Sequence, residues 1–418
     1  GLGRCLPPLI EKRAGAGAHK LSGFCGNAGS PCDEQSVEMS SIPQAQDAPS
    51  YARGRLQLGI AGVGTMVLLA ATVAGLGLPA TIFPQAGGSF AEDLQALLGW
   101  SVGLALVTLP VEALGGFVVP RAFRRRHPSL LTWIIGWLRG ALVVAALMSI
   151  CGATVLAAAR AAGPGAALGV FGVLLLALLL FQVAIARGVA GLRPSKAGIG
   201  AVEEELKSLG VSAKAVTVLE AEDEGFTGGI AGLPGRETCV LPVAWVGRFE
   251  PRALALLVDR RTRIIDGGLR AAGVALAVLW TLGTFAAATA LPGAGLASVA
   301  GLVSTSLWFS LLSFLGLLLL PTPSRRGARA ADARLVASLG DTDRALFAET
   351  LGALDRLQDD EPERSASVES IFHPIPSLVH RRRALGEPPQ GIAPWHVART
   401  AIYLSIAGMN PLHRLVHC

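Results

Sequence analysis

Six apolar runs, each long enough to cross a hydrocarbon core of about 30 Å, recur at roughly 57–82, 96–120, 131–158, 165–189, 269–291 and 296–320. Between the fourth and fifth runs the pattern turns polar over 191–267 and changes period. Residues 199–210 predict a helix, with Glu203, Glu204 and Glu205 near its positive end and Gly210 placed to cap it. The β-branched runs Ala215–Leu219 and Thr238–Leu241 flank a Gly-rich connection, Gly225 to Gly235, and predict a β-hairpin with a long loop. Glu250-Pro251 then opens a helix over 250–266, with proline at its first position. After the sixth run, Leu335, Leu339, Leu346, Leu351, Leu354 and Leu357 space a second helical stretch over 329–357, ended by an acidic turn at 359–363. The segment 393–407 is too short for a seventh span and predicts an interfacial or core-docking helix.

These elements give a predominantly α-helical multi-pass membrane protein of about six spans, with a small α+β domain containing a β-hairpin. Its parts are a polar N-terminal segment (1–50), a four-span region (51–190), the α+β insert (191–267), a two-span hairpin (268–320), a second helical part (321–390) and a C-terminal helix and tail (391–418). Segment 1–50 is rich in Gly, Ser, Pro and Gln, has no apolar period, and is expected to be disordered.

Composition agrees with a membrane location. The chain is 51% hydrophobic with a mean hydropathy of +0.52, and its 16% of charged residues lies far below the roughly 25% of soluble domains. Arg121, Arg124, Arg125 and Arg126 follow the second span, whereas the loop after the first carries only Glu92 and Asp93. The basic loops therefore face inward, together with both termini. The soluble parts are expected on the cytoplasmic, matrix or stromal side of a bacterial cytoplasmic membrane or an organelle inner membrane. The net charge of +6 follows from that topology and from attraction to anionic headgroups. With 6% aromatic residues and no basic stripe interleaved with them, nucleic acid is not an expected partner. The six cysteines include no Cys-x-x-Cys pair, and free thiols are expected.

The order of hairpin, helix, two spans, helix and His-Pro turn over 191–386 resembles the integral-membrane zinc metallopeptidases, the family of the heat-shock membrane protease and the CAAX prenyl protease. Glu224-Gly225-Phe226-Thr227-Gly228-Gly229 stands where that family has its Asn-Ala-Phe strand segment, and Glu250 to Val258 matches the lead-in to its zinc helix. Ser324-Arg325 with Ala331-Asp332, then Phe372-His373-Pro374 and Arg381-Arg382-Arg383, match later elements of the family. In this register Asp259 and Arg263 take the zinc-histidine positions, Arg260 the general-base position and Ala328 the third-ligand position, while Asp332 keeps an aspartate beside the site.

The resemblance thus implies a gluzincin-like domain whose chemistry is replaced. A guanidinium has no lone pair for zinc, so no metal and no other cofactor is expected, nor hydrolysis by metal-bound water. Arginine could stand in for the metal's charge by pairing with Asp332, or these residues could be solvated charges on an exposed helix face. The expected function is that of an inactive peptidase homologue that binds polypeptide along the old substrate strand, with the bilayer and protein chains as partners. A structural subunit of a larger complex, or an active peptidase using Asp259 and Asp332 as replacement ligands, are the alternatives. Glu112 and Arg139 lie at equal depth in neighbouring spans, about 12 Å from their shared loop, and are expected to pair. His413, His417 and Cys418 do not make a metal site without a further ligand.

Overall fold

A computed structural model describes residues 50–83, 87–125, 127–212, 215–221, 226–358, 360–387 and 393–405. The expected disorder over 1–49 and the residues Cys5, Cys25, Cys32, His413, His417 and Cys418 fall outside them.

The membrane region begins with α1 (Tyr51–Gly75), α2 (Phe90–Ala122) and α3 (Leu130–Leu180), whose 51 residues hold two of the six apolar runs. Helix α3 breaks at Ala162 and Gly163, just before Pro164. Proline supplies no N–H to the ladder and pushes its predecessor out of the helical region; Gly163, at φ 83, is the residue type that accepts such a backbone. Five continuous helices of spanning length among the described residues therefore make six apolar segments.

In the polar insert, α4 (Gly200–Ser208) ends as expected: Gly210 at φ 69 donates to Lys207 and Val211 donates to Leu206, closing the last turn. Four strands follow the order β1-β2-β4-β3: β1 (Arg193–Pro194), β2 (Val216–Glu220), β3 (Gly229–Ala231) and β4 (Thr238–Pro242). The expected hairpin between the two β-branched runs is corrected here, because β2 and β4 run parallel, with Val216 opposite Cys239. The true hairpin joins β3 to β4, Ile230 opposite Cys239. The glycine-rich connection carries the chain back across the sheet end and lays down β3 on the far side of β4. Gly228, at φ 61, makes this close approach possible, since a Cβ there would stand 2.0 Å from the Val240 carbonyl oxygen.

Helix α5 (Pro251–Asp266) then runs through the soluble core, with every residue from Ala253 to Asp259 buried. Helices α6 (Leu269–Thr289) and α7 (Val299–Leu319) cross back, and Phe285 and Phe309 meet Phe171 of α3 in a three-ring cluster, Phe171 stacked on Phe285 at 4.0 Å. The single helix expected over 329–357 is two: α8 (Pro321–Val336) and α9 (Asp341–Gln358), parted near Gly340. Asp341 and Asp343 suit the positive end of a fresh helix, and the two helices bury Leu335 and Phe347 with Leu254 and Leu256 of α5 in one cluster. Helices α10 (Ala366–Phe372), α11 (Leu378–Arg383) and α12 (Val397–Leu404) complete the chain. The last docks into the core, burying Val397, Ala401 and Leu404.

Candidate functional site

Helix α5 presents four charged residues in succession to two different surroundings. Asp259 is buried at 1% exposure, and its Oδ1 accepts from Arg263 Nε at 2.8 Å, one turn along the same helix. Its other oxygen is buried and accepts no hydrogen bond from the described residues. Burial pushes the Asp259 carboxyl up from its ordinary value, and Arg263, one third exposed, only partly offsets this.

Arg260 points to α8, where its Nε donates to Asp332 Oδ1 at 2.5 Å and its Nη2 reaches the Ala328 carbonyl at 3.4 Å. Arg381 of α11 completes the group with two parallel donations to Asp332, at 2.8 and 3.0 Å. Burial opposes charge on Asp332, yet Arg260 and Arg381 outweigh it and hold the carboxyl below its usual range. Three helices are thus cross-linked through one carboxylate. Solvated charges on an exposed face are excluded for this group, since Asp332 is 2% exposed.

Arg261 turns the opposite way and pins the helix to the sheet. Its guanidinium donates to Val240 of β4 at 2.7 Å and to Thr227, just before β3, at 2.8 Å, and lies over the Trp245 ring. Phe226, beside that contact, packs against Leu219, Ala231 and Val240. His373 ends α10, and its carbonyl, with those of Glu369 and Ser370, accepts from Arg325 Nη1. Arg325 thus closes the end of α10 on three carbonyls.

Glu112 and Arg139 find different surroundings from the pair expected of them. Glu112, buried in α2, accepts from Thr108 one turn back, at 2.6 Å, and from the indole of Trp137. Arg139 packs its guanidinium against Gly191, at the end of the short helix Gln182–Ala190. Equal depth fixed neither azimuth: Trp137, two residues earlier, is the side chain on the face turned to Glu112.

The residues brought together but not anticipated are Arg261, Arg270, Arg381 and the Trp395–His396 step. In the sequence Arg381 stands in the Arg-rich element that matches the family, and Arg270 as a charge at the start of an apolar span; nothing in the spacing ties either to α5.

The donor set decides whether zinc suits this place. Arg260 and Arg263 offer no lone pair, and both oxygens of Asp332 are taken by guanidinium groups. Among the described residues no three His, Cys, Asp or Glu side chains gather as a metal cage requires. The residues present do not fit zinc.

No family model and no curated protein sequence matches this chain. Solved structures do: the crystal structure of S. mikatae Ste24p is similar at a TM-score of 0.62, covering 80% of this chain and 86% of that one at 16% sequence identity. At that identity the likeness shows the fold, and this chain is an integral multi-pass membrane protein with the architecture of Ste24p.

Proposed function

We propose that this protein is a peptidase-shaped membrane protein that binds polypeptide without cutting it. The single observation carrying this reading is the Arg260–Asp332–Arg381 group, which commits to ion pairing the positions that the register assigns to the general base and to the aspartate beside the metal. Ste24p, whose fold it shares, is a CAAX prenyl protease of the integral-membrane zinc metalloprotease kind. A zinc peptidase needs a Lewis acid to lower the pKa of its water, and a guanidinium cannot hold that water as a ligand.

What remains suited to work is the binding apparatus. Strand β3 is the outer strand of the sheet order β1-β2-β4-β3, so its far side can accept an added strand by main-chain hydrogen bonding. Arg261 braces the Thr227 carbonyl at the head of that strand. Within the spans lies a cavity of about 1010 Å³, lined mainly by apolar residues such as Met66, Phe83, Trp100, Phe171, Phe309 and Phe314. A strand edge and an apolar membrane chamber in one molecule suit an unfolded or membrane-derived segment. The basic loops orient the insert toward the cytoplasm, matrix or stroma.

The test is elemental analysis after zinc loading, a peptidase assay with and without chelator, and photo-crosslinking from position 227 in membranes. Zinc well below one equivalent, no chelator-sensitive cleavage and crosslinks to varied polypeptides are expected. Stoichiometric zinc with chelator-sensitive cleavage would sink the reading, and crosslinks to one fixed partner in equal amount would favour a complex subunit instead.

A further inference from the structure

Beside the ion-pair group the structure collects buried donors that have too few acceptors. Arg270, in the first turn of α6, is 3% exposed; among the described residues its terminal nitrogens reach the Thr400 hydroxyl and the Gly232 carbonyl, each at 3.4 Å. Its Nε is buried and finds no acceptor among the described residues. The same guanidinium lies 5.9 Å from the centroid of the Trp395 ring, whose Nε1 is likewise buried without an acceptor. An indole N–H and a guanidinium can only donate, so both deficits are of one sign.

The surrounding charge has that sign too. His396 stacks on Trp395 at 3.7 Å, and its backbone sits at φ 54. Burial first, then Arg399, Arg260, Arg270 and Arg261, hold the His396 imidazole well below its ordinary value. Four guanidinium groups therefore act on one imidazole. Of these, the Arg260 charge is balanced by Asp332, which it shares with Arg381. Arg261 bonds only to neutral carbonyls in its described hydrogen bonds. Glu237 acts on Arg270 from a distance, while its carboxylate accepts from the Gly235 N–H. Among the described residues Arg270 has no carboxylate in contact, and burying a cation so placed is costly, so a bound acceptor of multiple negative charge would relieve it.

The Trp395 step is held firmly in place. Gly273 of α6 and Gly327 of α8 press on its backbone so closely that a Cβ on either would clash, at 2.0 Å from the Trp395 oxygen and 2.4 Å from the Pro394 oxygen. Trp395 N donates to Leu269, and Ala398 N donates to the Ser324 hydroxyl. The donors are thus preorganised by backbone contacts. Arg270 is also the second residue of a span, the depth at which headgroup phosphates lie.

We propose that Arg270 and the Trp395 indole N–H form a site for a phosphate-bearing dianion, either a phosphomonoester headgroup of a lipid or soluble phosphate. A phosphate offers acceptor oxygens to donors on several sides at once, which a single carboxylate does not. The site adjoins the end of β3 through the Gly232 carbonyl, but its occupancy does not depend on polypeptide capture.

The test uses the full chain in detergent, melted with and without millimolar inorganic phosphate at constant ionic strength, and again in phosphatidylcholine vesicles with and without phosphatidate. Ligand at about 100 times its Kd should raise Tm by about 3 °C in a chain of this size. Arg270→Gln should abolish the rise. Trp395→Phe, which keeps the ring and removes the donor, should reduce the affinity about tenfold and serves as the deciding variant if Arg270→Gln fails to fold. A rise with inorganic phosphate assigns a soluble ligand, and a rise with phosphatidate alone assigns a lipid headgroup. No rise in either arm, or an equal rise in both variants, overturns the proposal.

Discussion

Removing one carboxylate should do more harm than removing either of its partners' neighbours. Asp332→Ala leaves Arg260 and Arg381, both with side chains about 15% exposed, facing each other in the space where Asp332 had bonded to both. Breaking a buried pair from one side costs about 3–5 kcal/mol, because an uncompensated buried charge is left behind. Here two cations lose the same counterion, so the upper part of that range applies. A loss of that size lowers Tm by about 5 °C in a chain of this length. The assay is thermal unfolding in detergent followed by circular dichroism, with Arg263→Ala as the comparison. The Arg263 pair is one third exposed on one side, and its loss should cost only about 0.2–1 kcal/mol. The double variant Asp332→Ala with Arg260→Met should recover part of the loss, since it removes one orphaned cation. The sign with pH follows from the lowered Asp332 carboxyl: its contribution is complete above the unfolded value of about 4 and fades as pH falls through the lower folded value. A melting temperature for Asp332→Ala within about 1 °C of the parent would refute the reasoning, because that is under about 1 kcal/mol by the same conversion.

Asp259 behaves in the opposite sense: burial raises its carboxyl, so ionisation disfavours the folded state at neutral pH and that penalty lifts as pH falls through the raised folded value. Asp259→Asn is expected to leave melting at pH 7 unchanged or raise it by up to about 1 kcal/mol of stability, while Asp332→Asn in the same assay lowers it. At the other end of the spans, Arg160 donates to both oxygens of Asp93 at 2.6 and 3.0 Å, and to the carbonyls of Gly88 and Ala297, tying three connections together. Asp93→Asn should cost about 3 kcal/mol and make those loops more sensitive to limited proteolysis; an unchanged digestion pattern would count against the clamp.

The parts of the fold legible in the sequence are those set by local rules. Run length gave the spans, and the break in α3 lies between two of them because Pro164 and Gly163 fix the backbone there whatever surrounds it. Glu250-Pro251 and Gly210 marked helix ends for the same local reason. The sheet was misread because strand partnership is a non-local choice: β2 and β4 carry the pattern of a hairpin, but the three-residue β3 between them takes the antiparallel place beside β4. A strand that short has no period to detect. The division of 329–357 into two helices was hidden in a similar way, since leucines spaced for one helix also serve two that pack on α5 from different sides.

The same distinction governs the candidate site. Asp332 and Arg260 could be matched because each belongs to a motif with a fixed offset, and the structure joins them across α5 and α8. Arg270 and Trp395 could not, because what unites them is a deficit of acceptors that exists only after packing. An unpaired donor in a sequence is indistinguishable from a solvated one; burial alone makes it expensive, and expense is what identifies a site. Positions whose identity is set by backbone geometry are thus readable before folding, whereas those set by shared electrostatics become readable only in the folded chain, where one carboxylate serves two guanidinium groups.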